Sequence, residues 1–186
     1  TELSTVDTIV INAAGCGSTL KEYGYLLRND PDYATRAKAL ADKCRDLSEV
    51  LADLEPQATR HPLPLRIAYH DACHLQHAQQ ISAEPRKLLA SIPELEVCEI
   101  PESELCCGSA GIYNLVEPES ARELGTRKAQ HIATTGASVL VSSNPGCLLQ
   151  MKASLEQEGR TVHTMHLAEL LDASIQNTSL DNSATN

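Results

Sequence analysis

The chain has 186 residues, enough for one ordinary domain and part of a second. Its 15 basic against 25 acidic residues leave a net charge of -10, the wrong sign for gripping nucleic acid or an anionic membrane surface, so no nucleic-acid partner is expected. Hydrophobic residues make up 42%, and with Phe and Trp absent the core must be aliphatic and Ala-rich. Seven cysteines, no secretory signal and no long apolar run read as a reduced, cytoplasmic protein whose thiols serve metal or redox chemistry. The chain starts at Thr1 and enters a strand pattern within seven residues, which suggests a piece of something longer.

Asp7 to Asn12 is a β-branched run, followed by Ala13-Ala14-Gly15-Cys16-Gly17 and a helical pattern through Lys21 and Leu27: strand, tight turn, helix. From Pro31 a long helix is expected, because Tyr33, Ala37, Leu40, Cys44, Leu47, Leu51 and Leu54 recur at alternating steps of four and three, one continuous apolar stripe. Pro62 and Pro64 break the chain before a second strand, Leu65 to Tyr69, which runs into His70-Asp71-Ala72-Cys73-His74. A third strand, about Glu96 to Ile100, leads to Cys106-Cys107-Gly108-Ser109-Ala110-Gly111. A helix from about Pro118 to Thr135 precedes a fourth strand, Ser138 to Ser142, which enters Asn144-Pro145-Gly146-Cys147 and a helix to Glu158. A short fifth strand, Thr161 to Met165, and a last helix, about Leu167 to Ile175, complete the pattern. The polar tail from Asn177 reads as disordered. Strands alternating with helices imply an α/β fold, a mostly parallel sheet with helices on both faces.

One internal echo stands out. Thr8 to Ile11 leading into Ala13-Ala14-Gly15-Cys16 matches Val139 to Ser142 leading into Asn144-Pro145-Gly146-Cys147. The first copy then reads as the closing part of an upstream repeat. The expected organisation is residues 1–60 as that closing part with connecting helices, 61–176 as a second cysteine-rich domain and 177–186 as a tail.

The adjacent pair Cys106-Cys107 cannot easily close a disulfide with itself, and both thiolates can reach one centre only if the backbone turns sharply, which Gly108 permits. Cys16, Cys73, Cys106, Cys107 and Cys147 all follow predicted strands, and in an open α/β sheet ligands bind at the carboxyl ends of strands. Cys73, Cys106, Cys107 and Cys147 are therefore candidate ligands of an iron-sulfur cluster or a metal ion, thiolates being the soft donors that both select. Cys16, like Cys147, opens a helix, where the thiolate form is favoured. It is a further cofactor-binding candidate whose co-ligands are not in the chain. Cys44 on the helical stripe and Cys98 within a strand read as packing residues. His70, His74 and His77 crowd around Cys73 and could join a zinc site, but read rather as residues that orient the loop or cap a helix. Gly15-Cys16-Gly17 faintly resembles a dinucleotide loop, yet Leu20 stands where the third glycine belongs.

At these residues the chain resembles the cysteine-rich CCG domain found in the heterodisulfide reductases and in the iron-sulfur subunits of glycolate and lactate oxidation systems. The family pattern is a Cys, a gap of thirty-odd residues, Cys-Cys-Gly, a second such gap and Cys-x-x-Cys. Here 32 residues lie between Cys73 and Cys106, and 36 between Cys107 and position 144. Asn144 replaces the first Cys of the final pair, and Ala13 does the same before Cys16, so four ligands remain rather than five. Four suit a four-iron (4Fe-4S) cluster better than the five-cysteine noncubane cluster of the heterodisulfide reductases. The wording around the cysteines is most similar to that of the glycolate oxidase iron-sulfur subunits, from about Thr8 to Leu171. That resemblance implies an oxidoreductase subunit with no catalytic acid or base of its own. It would pass electrons from flavoprotein subunits, carrying FAD and oxidising glycolate to glyoxylate, toward a quinone or another membrane acceptor. It also implies a place in the cytoplasm or at the inner face of the cytoplasmic membrane through the complex. The rival readings are an iron-sulfur subunit of a lactate oxidation or heterodisulfide reductase-type system, and a zinc-stabilised interaction module.

Overall fold

The computed structural model describes residues 2–178 and 180; the rest of the expected tail lies outside the described residues. All five expected strands form: β1 (Ile9–Ile11), β3 (Arg66–His70), β4 (Glu96–Glu99), β5 (Val139–Ser142) and β6 (His163–His166). A strand that the sequence did not suggest, β2 (Cys44–Asp46), lies between the first two. Every pairing is parallel, in a two-stranded sheet β1-β2 and a four-stranded sheet β4-β3-β5-β6, and helices flank them.

The four-stranded sheet is covered on both faces, and the period of two along its central strands decides what faces what. Ile67 and Tyr69 of β3, with Val139 and Val141 of β5, pack on Leu88 and Leu89 of α5 (Ala83–Ala90) and Leu170 and Leu171 of α9 (Leu167–Gln176). On the other face Ala68 and Leu140 meet Ala129 and Ile132 of α7 (Pro118–Thr134) and Met151 and Leu155 of α8 (Pro145–Gln157). Cys107 and Cys147 belong to this second core. Both α7 and α8 start with Pro, whose fixed φ and missing N–H suit a first helical position. Asn177 closes α9 in the left-handed region, φ 52°.

The long helix expected from Pro31 to Leu54 is not there. Its place is taken by α3 (Ala34–Ala41), β2 and α4 (Leu47–Asp53). Two forces override the apolar stripe. Strand β1 needs a partner for its backbone groups, and Cys44, Arg45 and Asp46 supply one in register with Ile9, Val10 and Ile11. Asp46-Leu47-Ser48-Glu49 is also a capping box: the Asp46 side chain accepts from Ser48 N at 2.8 Å, and Asp46 N donates to Glu49 Oε2 at 2.8 Å. It starts a new helix where the stripe alone would continue the old one. Leu40 and Leu51 still end half-buried and Ala37 and Cys44 buried, but Tyr33 and Leu54 at the two ends of the stripe are exposed, so the periodicity reported burial only in its middle and continuity wrongly.

The β1–α1 unit, with α1 spanning Ala14–Lys21, docks end-on against the four-stranded sheet. Ala14 N donates to Ser143 O (3.3 Å), Gly15 N to Asn144 Oδ1 (3.4 Å), and Gln79 Nε2 to Ala14 O (3.0 Å). Lys21 Nζ reaches Glu49 Oε2 at 2.6 Å, tying α1 to the capping box.

Replacing Asp46 with Ala should cost about 1 kcal/mol or more, the usual worth of an N-cap, and separate β2 from α4. Asp46→Asn, which keeps an acceptor oxygen, should lose less. Urea denaturation of the two variants side by side checks the order, and equal losses would show that the cap is not what breaks the helix.

Candidate metal centre

Strand order β4-β3-β5-β6 places β3 beside β5, while their connections leave over opposite faces, α5 after β3 and α8 after β5. Such a reversal opens a crevice at the carboxyl ends of the two strands, where open α/β sheets bind ligands. Cys73 lies just past β3. Cys147 is the third residue of α8, just past β5. The loop leaving neighbouring β4 brings in Cys106 and Cys107.

The four sulfurs meet there. Cys73 Sγ is 3.9 Å from Cys106 Sγ, far beyond a disulfide bond, and all seven cysteines are free thiols. The donor atoms of Cys107, Cys147 and His70 lie within 4.8 Å of one another, and all three residues are buried. The crowding splits the thiols by charge. Hydrogen bonds from Cys107 and Cys73 hold the Cys106 thiol far below its ordinary range, and Gly108 N, 3.3 Å from its sulfur, adds to the effect. The Cys107 thiol beside it brings Cys147 down to about 5, with the imidazole of His70 and Asn144 Nδ2, at 3.1 Å, helping. Cys73 and Cys107 are pushed the other way, each giving its hydrogen bond to a neighbouring sulfur. The hydrogen bonds among the four sulfurs thus favour the thiolate at Cys106 and Cys147 and the thiol at Cys73 and Cys107. Binding of a soft cation would convert the donors to thiolates and release their protons.

The surrounding helices fix the donors. On α7, buried Lys128 gives Nζ to the carbonyls of Glu102 (2.6 Å) and Ser103 (3.4 Å), His131 Nδ1 meets Pro101 O (2.9 Å), and Arg127 pairs with Glu102. One helix face thus clamps the stretch leading to Cys106. Gly108 then takes φ 89°, and a Cβ there would collide with the carbonyl of Ala121 on α7. After β3, buried Asp71 receives both terminal nitrogens of Arg86, at 2.6 and 2.7 Å, fixing the turn between His70 and Cys73.

The structure thus gathers Cys73, Cys106, Cys107 and Cys147 and leaves Cys16 outside, exposed on α1. Cys44 is buried in β2, with Sγ 3.3 Å from Leu40 O, and Cys98 lies in β4. His74 Nδ1 stands 3.5 Å from Cys73 Sγ and His77 is exposed. His70, read from the sequence as a loop-orienting residue, is 1% exposed, and neither ring nitrogen has a hydrogen-bond partner. A buried polar group left unpaired costs roughly 1–3 kcal/mol. The available signal was the strand period: two residues after Ala68, His70 falls on the cysteine-bearing face. The unpaired imidazole and the thiol-rich donor set both fit a soft or borderline metal centre.

The pattern of the CCG family, Cysteine-rich domain, matches residues 67–152. The chain is 32% identical to Lactate utilization protein A of Oceanobacillus iheyensis over 165 residues, covering 88% of this chain and 68% of that protein. It belongs to the cysteine-rich CCG family. The chain is also 43% identical over 174 residues to a Probable glycolate oxidase iron-sulfur subunit of Bacillus subtilis, and 35% identical over 172 residues to the Glycolate oxidase iron-sulfur subunit of Escherichia coli. Each alignment covers 91% of this chain, but only 39% and 40% of those relatives. The matched CCG segment runs from β3 into α8 and so holds His70, the four clustered cysteines and the helix that clamps them.

The CCG glycine gives a direct test. Gly108→Ala should displace the Cys106-Cys107 loop, through both its left-handed φ and the collision with Ala121, and lower metal uptake and melting temperature together. Gly111→Ala, at φ 67° but facing open space, should cost only about 1–2 kcal/mol and leave uptake intact. Equal metal loss in both variants would show that backbone strain, not the approach to α7, governs the loop.

Proposed function

We propose that this chain holds an iron-sulfur cluster on Cys73, Cys106, Cys107 and Cys147 and serves as an electron-transfer part of an α-hydroxy-acid oxidation system. The observation that carries the proposal is the convergence of four thiols, delivered from three strand ends, at the sheet's reversal point, a soft donor set of the size that a 4Fe-4S cluster takes. Such a cluster, when bound, takes up and returns single electrons. The chain's own residues bury Cys107 and Cys147, direct the N–H groups of Gly108 and Asn144 at sulfur, and keep Lys128 behind the loop. The N–H groups and the ammonium favour the more negative, reduced state of a bound centre. No residue of this chain is needed as acid or base.

The relatives' names favour glycolate as the source of electrons. FAD-bearing flavoprotein subunits would oxidise glycolate to glyoxylate, and a quinone or another membrane acceptor would take the electrons. Among the described residues no helix is long and apolar enough to cross a membrane. Contact with that acceptor would therefore run through the complex, from the cytoplasm or the inner membrane face. Lactate is the second reading, supported by the lactate utilization relative. Within the chain, residues 1–60 would close one cysteine-rich repeat and 61–176 would form another. The turn geometries support this: Ala13 before α1 has φ -138° and ψ 106°, and Asn144 before α8 has φ -141° and ψ 111°. Cys16 would then belong to the first repeat's site.

Anaerobic reconstitution should load about four iron and four sulfide per chain and turn the protein brown. Ser at Cys73, Cys106, Cys107 or Cys147 should abolish or badly weaken loading, while Ser at Cys44 or Cys16 should leave it. One tightly held zinc, no iron and a colourless protein would instead establish a structural zinc module.

For the source of electrons, the loaded protein is mixed anaerobically with the flavoprotein subunits, and the loss of visible absorbance is followed after adding glycolate or lactate. Bleaching by glycolate first is the expected result, and bleaching by lactate alone would move the assignment.

A further inference from the structure

We propose that His70 is a nitrogen ligand of the centre, completing a mixed sulfur and nitrogen donor set with Cys107 and Cys147; this rests on the metal-binding reading of the site above. Three observations meet on this residue. It is 1% exposed, with both ring nitrogens buried and without a hydrogen-bond partner. Its ring stands with the sulfurs of Cys107 and Cys147 in a group whose donor atoms all lie within 4.8 Å, a spacing that lets one ion touch all three. Its backbone is also held from both sides: His70 pairs with Ser142 across β3 and β5, Ser142 Oγ donates to His70 O at 3.1 Å, and the next residue, Asp71, is locked by Arg86. A residue that only oriented the loop would spend its ring nitrogens on loop atoms. Asp71 already does that work, and the ring of His70 lies beside the sulfurs of Cys107 and Cys147 with no partner outside that cluster.

Asn144 does not compete for the role. Its Nδ2 donates to Cys147 Sγ and its Oδ1 accepts from Gly15 N, so both ends of the amide are engaged. Imidazole is a borderline donor that suits iron, zinc, cobalt and copper, and together with thiolates it makes one of the common mixed donor sets. As a neutral donor beside the thiolates it adds no negative charge to the bound centre.

The test uses two probes. Cobalt(II) added to the metal-free protein reads the donors of His70, Cys107 and Cys147 whether or not iron and sulfide assemble. Binding should bring sulfur-to-cobalt charge-transfer absorption, and histidine labelled with nitrogen-15 in the wild-type protein should show one strongly shifted ring. His70→Ala should weaken cobalt binding roughly tenfold or more, since even a ligand's outer partner is typically worth about 10–100-fold, while His77→Ala should not. The wild-type labelling experiment decides the matter should His70→Ala fail to fold. Iron and sulfide loading, measured separately, tests the cluster reading. If cobalt binding depends on His70 and no cluster assembles, the cluster reading falls and the ligand assignment stands. If the cluster assembles but no histidine ring is shifted by cobalt, or if cobalt binds His70→Ala as tightly as wild type, His70 is no ligand, and a buried water satisfies its nitrogens. Failure of the wild-type protein to bind cobalt would overturn the assignment as well.

Discussion

Sulfurs gathered this closely cannot all be thiolates unless a cation joins them, and the rest of the structure follows from that constraint. Without a cation the shared hydrogen bonds favour the thiol at Cys73 and Cys107 and the thiolate at Cys106 and Cys147. Each charged sulfur has an N–H aimed at it, Gly108 N for Cys106 and Asn144 Nδ2 for Cys147. Cys147 also sits at the positive end of the thirteen-residue α8. These donors stabilise negative sulfur without filling the space between the four side chains. A soft cation in that space would replace a divided, half-protonated set with a uniform one. Burial at Cys107 and Cys147 makes the difference larger, because a weakly screened charge gains more from its partner.

That pocket requires a rigid frame, and the frame is built from charges that composition alone would assign to the surface. Lys128 has no exposed area, and burial holds its pKa below the ordinary value against the opposing pull of the neighbouring cysteines and of Glu104 and Glu102. Its ammonium serves the loop's carbonyls and lies close enough to the thiolates to share their field. Asp71 is held in the same manner by Arg86, whose guanidinium also reaches Glu99 at 3.0 Å and stands over the ring of Tyr69. Removing Arg86 would strand the buried Asp71 carboxylate, a loss of about 3–5 kcal/mol in comparable pairs, whereas Arg86 itself is partly exposed and keeps Glu99. The loops that carry the sulfurs are thus tied to α5 and α7 by ion pairs and hydrogen bonds, and the apolar core beneath them holds the helices.

Much of this was legible in the sequence, for physical reasons. β-branched runs with no competing helical period gave all five expected strands, and the Cys-Cys-Gly turn gave the centre of the site because only glycine takes φ 89° so close to α7. What stayed hidden depends on distant partners. Strand β2 lies on residues that also fit a helical stripe, and only the need of β1 for a pairing partner, together with the Asp46 box, decides against the helix. Arg86 and Lys128 read as ordinary helix-surface charges until their partners are folded against them. His70 required both the strand period and the knowledge that α7 and α8 cover that face.

The two strand-to-helix turns bear on how such a site is built. Ala13 and Asn144 share nearly the same φ and ψ, and each is followed three residues later by a cysteine, Cys16 and Cys147. The local sequence therefore fixes where a helix-start cysteine points, but not whether it meets other donors. Cys147 meets them because β5 lies beside β3 and near the loop after β4, whereas Cys16 follows a two-stranded sheet whose second strand ends in the capping box of α4. The turns meet where Gly15 N reaches Asn144 Oδ1, and the other end of that amide touches Cys147. A shift of α1 would pull on the Asn144 amide and, through it, on the hydrogen bond to a clustered sulfur. The Asn144 side chain thereby couples the N-terminal unit to a clustered sulfur, beside the packing of Ala14 in the same core as Cys107 and Cys147.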